Sequence, residues 1–167
     1  MTEGLIGKDA PLFQMNAVMP NLTYGTVSLQ DHIQEKKWTM LMFYPFDFCT
    51  ISRSDLVQLS ERIGKFEALQ TKVLGISADS VYAHREFMKQ SEIDFPLASD
   101  VSGQVASNYG CLNQDYRRFH KTLYFINEKG ILVFIQHMPD IFSIDGADVL
   151  WLLQKIRSSF DTNGYVY

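Results

Sequence analysis

The stretch Phe43-Tyr44-Pro45-Phe46-Asp47-Phe48-Cys49-Thr50-Ile51-Ser52-Arg53 decides the fold of this chain. It begins in an almost wholly apolar segment, residues 38–44, which is typical of a strand buried on both faces. Pro45 ends that strand. Apolar residues then recur at helical spacing, which predicts a helix as far as about Leu69. The stretch is therefore a strand-to-helix junction, where α/β proteins often carry a nucleophile.

The remaining pattern completes an α/β domain. A second buried strand is predicted over 72–77, then a helix from Asp79 or Ser80 to about Gln90, an extended piece over 95–100 and a short helix over 103–109. Two apolar runs flank the turn Asn127-Glu128-Lys129-Gly130 and predict a β-hairpin over 122–135. A last helix is expected from Gly146 to Ser159, with Asp145 as its cap. This order predicts one domain over 1–160, a thioredoxin-like sandwich with a central mixed β-sheet flanked by helices, and a short flexible C-terminal tail over 161–167.

Composition narrows the class of protein. Of 167 residues, 46% are hydrophobic and 20% charged, as in ordinary globular domains. The net charge of −4 argues against a nucleic-acid partner. The sequence has no apolar run of membrane-spanning length and no signal-peptide pattern, so we expect no membrane partner and a cytoplasmic location.

The residues that bind metals or form disulfides are few. Cys49 and Cys111 are the two cysteines, and we expect both to be free, as is usual in the cytosol. The four histidines are scattered and lack the spacing of a zinc site. The sequence therefore predicts neither a metal site nor a cofactor.

Several motifs, in order and at characteristic spacing, carry a family resemblance. They are Gly7-Lys8-Asp9-Ala10-Pro11, Lys37-Trp38-Thr39, Tyr44-Pro45-Phe46-Asp47-Phe48, Val73-Leu74-Gly75-Ile76-Ser77-Ala78-Asp79-Ser80, Pro96-Leu97-Ala98-Ser99-Asp100, Tyr109-Gly110 and Phe125-Ile126-Asn127-Glu128-Lys129-Gly130. Together they identify the chain as a peroxiredoxin-like protein of the alkyl hydroperoxide reductase/thiol-specific antioxidant group, resembling its typical two-cysteine members. The resemblance implies a thioredoxin-like fold, antioxidant peroxidase chemistry in the family, and a homodimer or a ring of dimers.

The resemblance also places the family's active-site pattern on this sequence. Without gaps, the proline position is Pro45, the threonine position is Cys49 and the peroxidatic cysteine position is Ser52. The arginine position is Lys121. No cysteine follows Cys111, so we expect the resolving cysteine to be absent as well, and we interpret Cys111 as a small buried hydrophobe. The resemblance therefore predicts a degenerate active site at Pro45, Ser52 and Lys121.

Three functions remain open at this stage. The first is a binding or assembly module without peroxidase chemistry, whose vacated pocket holds a small anion or which mixes with an active paralogue. The second is a weak one-cysteine thiol peroxidase using Cys49, recycled by an external thiol reductant, with Arg53 or Lys121 adding positive charge. The third is hydrolase chemistry at Ser52, against which stands a structural interpretation of Ser52 and Asp55 as a capping box.

Overall fold

The structure, a computed structural model, describes residues 3–116 and 118–163. After a 3-10 turn at Glu3–Leu5, nine strands follow: β1 Gln14–Val18, β2 Tyr24–Ser28, β3 Trp38–Phe43, β4 Thr71–Ser77, β5 Leu97–Ser99, β6 Leu112–Asn113, β7 Arg118–Phe119, β8 Thr122–Ile126 and β9 Leu132–His137. The six α-helices are α1 Leu29–Gln34, α2 Thr50–Ser60, α3 Ile63–Ala68, α4 Val81–Lys89, α5 Gln104–Asn108 and α6 Gly146–Asn163.

Seven strands form one mixed sheet in the order β2-β1-β5-β4-β3-β8-β9, and β6 pairs with β7 separately. The central pairs β3–β4 and β4–β5 are parallel, whereas β8 pairs antiparallel with both β3 and β9. Every residue of β3 is buried, because helices and loops cover both faces of the sheet. The predicted thioredoxin-like mixed sheet and the β8–β9 hairpin are confirmed.

Each face of the sheet has its own apolar core. On one face, residues of α2, α3, α4 and α6 pack together, including Leu56, Phe66, Phe87 and Leu153. On the other face, β1 packs with residues of α1 and the α5 region, including Leu29 and Tyr109. Among the described residues, no helix is both long and apolar enough to cross a membrane. The strand-to-helix junction therefore follows β3, an interior strand of a sheet that is covered on both faces.

The predicted single helix to Leu69 is wrong, because the helical segment is interrupted between α2 and α3, near Arg62. The Arg62 side chain donates to the carbonyl oxygen of Gln58 at 2.9 Å, the acceptor that the Arg62 amide would use in a continuous helix. The Arg62 amide donates instead to Leu59, 3.1 Å away. A side-chain donor therefore replaces the backbone donor just after the point where α2 ends.

Near both ends of the chain, the helices and strands differ from those predicted from the sequence. The sequence patterns do not predict β1, β2 or α1, although β1 has the alternating burial of a strand with one face in the core. Helix α6 continues to Asn163, so Asp161 to Asn163 belong to a helix. The rest of the predicted tail, 164–167, lies outside the described residues. Asp145 does cap α6, since its Oδ1 accepts from the amide of Ala147 at 2.7 Å.

Candidate active site

The mouth of α2 is built by a sharp turn at Phe48. Phe48 has φ +57°, a backbone conformation that a bulky residue rarely adopts. Cys49 follows with extended backbone as the N-cap of α2, and its carbonyl oxygen accepts from the Arg53 amide at 2.9 Å. The Cys49 thiol is free and partly exposed. The sequence prediction that Cys49 lies at the start of this helix is confirmed.

Two aromatic rings hold this turn against α4. The Phe48 ring is 53% exposed and lies edge-on to Phe87, with ring centroids 5.4 Å apart. The guanidinium carbon of Arg53 lies 5.6 Å from the centroid of the same Phe87 ring. The Arg53 cation therefore packs on an aromatic ring beside the helix mouth.

Ser52 lies inside the first turn of α2, three residues after the cap, and is only 2% exposed. The predicted capping box of Ser52 and Asp55 is wrong, because Cys49 occupies the cap and Asp55 has other partners. Asp55 Oδ2 accepts from the Lys121 amine at 2.8 Å, and its Oδ1 accepts from the Ile144 amide at 2.8 Å. Asp55 is thus turned toward β8 and the loop before α6.

Lys121 is buried beneath the site, with its side chain 1% exposed. Its amine donates to Asp55 and also to the carbonyl oxygen of Phe142. A buried ammonium needs such partners, since an unpaired charge in the interior is very costly. The carboxylate of Asp55 neutralises this cation. The structure therefore shows Asp55 as the charged partner of Lys121, and a role of Lys121 at Cys49 or toward a small anion stays a prediction.

A second buried network lies under the loop between β3 and α2. Asp47 accepts from the Tyr44 hydroxyl at Oδ1 (2.8 Å) and faces His84 Nδ1 at Oδ2 (2.7 Å). The other ring nitrogen of His84 lies 3.0 Å from the carbonyl oxygen of Ala98. The side chains of Asp47 and His84 are both 0% exposed. These contacts tie the loop that carries Cys49 to α4 and β5.

The proton inventory of this network follows from its acceptors. The Ala98 carbonyl can only accept, so His84 Nε2 carries a hydrogen. A single further proton then lies between Nδ1 and Asp47 Oδ2, either as imidazolium with carboxylate or as two neutral partners. Burial also raises the pKa of Tyr44, with the nearby Asp47 charge as the next cause, so its hydroxyl remains a donor. The network is fully hydrogen-bonded and electrically balanced.

With this geometry established, comparison with known proteins identifies the family. The family model described as "AhpC/TSA family" matches residues 6–135. The chain belongs to this family of peroxiredoxins. It is 33% identical over 170 residues to peroxiredoxin-2 of Bos taurus, covering 96% of this chain and 82% of the relative.

Solved structures agree with this peroxiredoxin assignment. The reduced 2-Cys peroxiredoxin of Plasmodium vivax superposes with a TM-score of 0.87 at 25% identity, over 96% of this chain and 85% of that one. The mitochondrial 2-Cys peroxiredoxin of Plasmodium falciparum gives the same TM-score and identity, over 97% and 99% of the two chains. The fold and its topology are therefore those of a peroxiredoxin.

The peroxiredoxin positions predicted from the sequence fall into two groups. Pro45, Cys49 and Ser52 lie on one continuous segment, the strand-to-helix junction, with Pro45 and Ser52 buried and Cys49 partly exposed. Lys121 directly precedes β8, and its side chain contacts the same helix, α2, at Asp55. His32, His84 and His137 have ring partners elsewhere, at Thr39, Asp47 with Ala98, and Thr122.

Cys111 lies in the core on the opposite side of the sheet. It is fully buried, and its thiol donates weakly to the Ala106 carbonyl oxygen at 3.6 Å. Burial raises the pKa of Cys111 to about 12. The interpretation of Cys111 as a small buried hydrophobe is confirmed. Among residues 3–116 and 118–163, no group of three or more histidines, cysteines or acidic residues could hold a metal ion.

Sequence reasoning missed the pairing of Asp47 with His84. A signal was present: Asp47 stands between two phenylalanines, and His84 belongs to the apolar face of α4 with Phe87 and Met88. Polar side chains in such surroundings need a buried partner. The sequence could show that both required one, but their separation of 37 residues hid that they partner each other.

Proposed function

We propose that this peroxiredoxin-family chain has a degenerate active site, does not reduce hydroperoxides, and acts as a binding and assembly module that forms a homodimer. The observation that carries the proposal is the burial of an alcohol, Ser52, in the first turn of α2, at the position that the sequence comparison assigns to the peroxidatic cysteine. The same proposal keeps the cytoplasmic location that the sequence predicts.

The chemistry explains why this position matters. A thiolate attacks one oxygen of the peroxide, the O–O bond breaks, and the sulfur becomes a sulfenic acid while the other oxygen leaves and takes up a proton. A serine hydroxyl is far less acidic and has no comparable oxidised product. The amine of Lys121, at the predicted arginine position, lies 2.8 Å from the Asp55 carboxylate and is paired with it. The alcohol at Ser52 and the pairing of Lys121 with Asp55 both support a site without peroxidase chemistry.

The assembly half of the proposal rests on the sheet edge. Strand β9 is the last strand of the seven-stranded sheet, and residues 7 and 8 hydrogen-bond to its first residue, Leu132. From Val133 onward, no strand among the described residues pairs with its outer edge. Such an edge is a template for a further strand, and a second copy supplies one by two-fold symmetry.

A second candidate function is a slow one-cysteine thiol peroxidase using Cys49. The observation that favours it is the partly exposed thiol at the N-cap of an eleven-residue helix, where the positive end of the helix dipole favours a thiolate. This function requires an external thiol reductant to return the sulfenic acid to the thiol. It differs from the first in predicting peroxide consumption that depends on one residue.

Peroxide turnover separates the two functions. The reduced protein is mixed with hydrogen peroxide or cumene hydroperoxide in the presence of dithiothreitol, and sulfenic acid is trapped with dimedone and detected by intact mass. We expect no consumption above the reductant alone. Consumption that disappears in Cys49→Ala and persists in Cys111→Ala would establish the thiol peroxidase and overturn the inactive assignment. Turnover that survives removal of both cysteines would overturn both candidates.

The assembly claim has its own measurement. Sedimentation velocity over a wide concentration range should show a monomer–dimer equilibrium. Hydrogen exchange at high and low protein concentration should show extra amide protection confined to residues 133–137 and their surroundings in the dimer. A chain that remains monomeric throughout would overturn the assembly module.

A further inference from the structure

The loop between β9 and α6 presents two large apolar side chains to solvent. Ile141 is 72% exposed and Phe142 is 64% exposed. Adjacent exposed side chains of this size form an apolar projection, which we call the 141–142 knob. Contiguous exposed apolar surface of this kind commonly marks an interaction site.

The backbone beneath the knob is held firmly. The Lys121 amine donates to the Phe142 carbonyl oxygen, and the Ile144 amide donates to Asp55 at 2.8 Å. Met138, at the other end of the loop, donates to the Lys121 carbonyl oxygen at 2.8 Å. A projection fixed in this way loses little conformational entropy when it docks. The buried ion pair therefore positions the knob.

A complementary cavity lies at the opposite end of β9. It has a volume of about 270 Å³, and its apolar lining includes Ile6, Trp38, Leu132, Val133 and Phe160. The Trp38 and Phe160 rings meet edge-on with centroids 5.8 Å apart. The rim includes Glu128 and Lys129 of the β8–β9 turn. An apolar side chain is the occupant that such a lining favours.

The knob and the cavity share one face and one edge of the sheet. Ile144, which ends the knob loop, and Trp38 and Phe160 belong to the same core cluster, that of α6. Helix α6 extends about 21 Å from Gly146 to Phe160 at 1.5 Å per residue. Strand β9 extends about 17 Å from Leu132 to His137 at about 3.4 Å per residue. The knob loop follows the end of β9 and the cavity lies at its start, so the two features are about one strand length apart.

Two-fold pairing brings these features together between copies. When β9 pairs antiparallel with a second β9, the end of each strand lies beside the start of the other. An axis perpendicular to the sheet keeps the α6 faces of both copies on the same side. We propose that the 141–142 knob of one copy docks into the cavity at the start of β9 of a second copy, twice in each dimer. This inference rests on the homodimer of the proposed function and names the side chains that stabilise it.

Matched serine substitutions test the docking by sedimentation equilibrium. Phe142→Ser should raise the dimer dissociation constant by at least about tenfold, as expected for an apolar anchor that fills a pocket. Val101→Ser removes a side chain of similar exposure, 69%, from the loop between β5 and α5, and should change the constant by less than about twofold. Far-ultraviolet circular dichroism confirms that both variants keep the fold.

Cross-linking gives a second readout that does not depend on affinity. In a Cys49→Ala background, Phe142→Cys combined with Glu128→Cys should form covalent dimers with a short bismaleimide, whereas Val101→Cys with Glu128→Cys should not. An unchanged chain that dimerises, with Phe142→Ser of equal affinity and no cross-link, overturns the docking alone. An unchanged chain that stays monomeric overturns the assembly proposal too. If Phe142→Ser is without effect and deletion of residues 164–167 exposes the Glu128→Cys thiol, the cavity belongs to the chain's own C-terminal segment.

Discussion

Lys121 Nζ lies 2.8 Å from Asp55 Oδ2, and both side chains are almost completely excluded from solvent. This pair joins the residue before β8 to the middle of α2, and through Phe142 and Ile144 it also fixes the loop before α6. In this peroxiredoxin fold, the cation beneath the candidate active site has a structural partner of opposite charge. The following predictions begin with that pair.

Breaking the pair from one side should be strongly destabilising. Lys121→Met leaves the Asp55 carboxylate buried and uncompensated, so we expect the free energy of unfolding to fall by about 3–5 kcal/mol. Adding Asp55→Asn should restore part of the loss, because the amide oxygen can still accept from Ile144. Urea denaturation of the single and double variants measures this coupling.

An exposed pair provides the control for that experiment. Lys72 and Glu35 lie 2.9 Å apart with side chains 43% and 50% exposed. Lys72→Met should cost less than about 1 kcal/mol, since water screens such pairs. Equal losses for Lys72→Met and Lys121→Met would contradict the assignment of Lys121 as a buried structural cation.

The Asp47–His84 contact should respond differently to its two partners. His84→Leu leaves a buried carboxylate whose remaining side-chain donor is the Tyr44 hydroxyl, and should lower the free energy of unfolding by about 3–5 kcal/mol. Asp47→Asn keeps an acceptor for Tyr44 and offers a donor to a neutral His84, so a loss of about 1–2 kcal/mol is expected. Urea titrations of both variants at one pH check the order, and a larger loss for Asp47→Asn would refute it.

The two cysteines should differ sharply in reactivity. At pH 8, iodoacetamide should modify Cys49 and leave Cys111 intact, because Cys111 is buried and its raised pKa of about 12 leaves only ~0.01% thiolate at that pH. Intact mass should show one adduct for the folded protein and two after unfolding. Cys49→Ala should show none while folded. Rapid modification of Cys111 in the folded protein would contradict the placement of its side chain in the core.

Gly146 should not tolerate a side chain where α6 begins. A Cβ at this position would lie 2.7 Å from the Gln58 carbonyl oxygen, a backbone atom of α2 that cannot move aside easily. Gly146→Ala should therefore destabilise the fold by about 1–3 kcal/mol. Gly64→Ala is the control, since nothing lies within 4 Å of its Cβ position in α3, and it should stabilise by about 0.5–1 kcal/mol. Thermal unfolding measures whether Gly146→Ala lowers the stability and Gly64→Ala raises it.

The strand-to-helix junction shows how much of the structure can be predicted from residues that are close in the sequence. An apolar run ended by Pro45, followed by helical periodicity, was sufficient to predict β3 and the start of α2 near Cys49, because these signals depend on near neighbours in the chain. The two runs around residues 127–130 predicted the hairpin for the same reason. The interruption between α2 and α3 could not be predicted in this way. It accompanies a hydrogen bond from the Arg62 side chain to the Gln58 carbonyl oxygen, which the sequence pattern does not reveal.

The amino-acid sequence by itself determined the peroxiredoxin fold and the buried strands, and it led to the prediction that Ser52 stands at the position of the family's reactive sulfur. Only the tertiary structure decided the partners of the charged residues: Asp55 with Lys121, and Asp47 with His84. These pairs join residues 66 and 37 positions apart. A buried charge needs a counter-charge nearby. Which residue lies near enough depends on how elements pack across the sheet, and not on spacing along the chain.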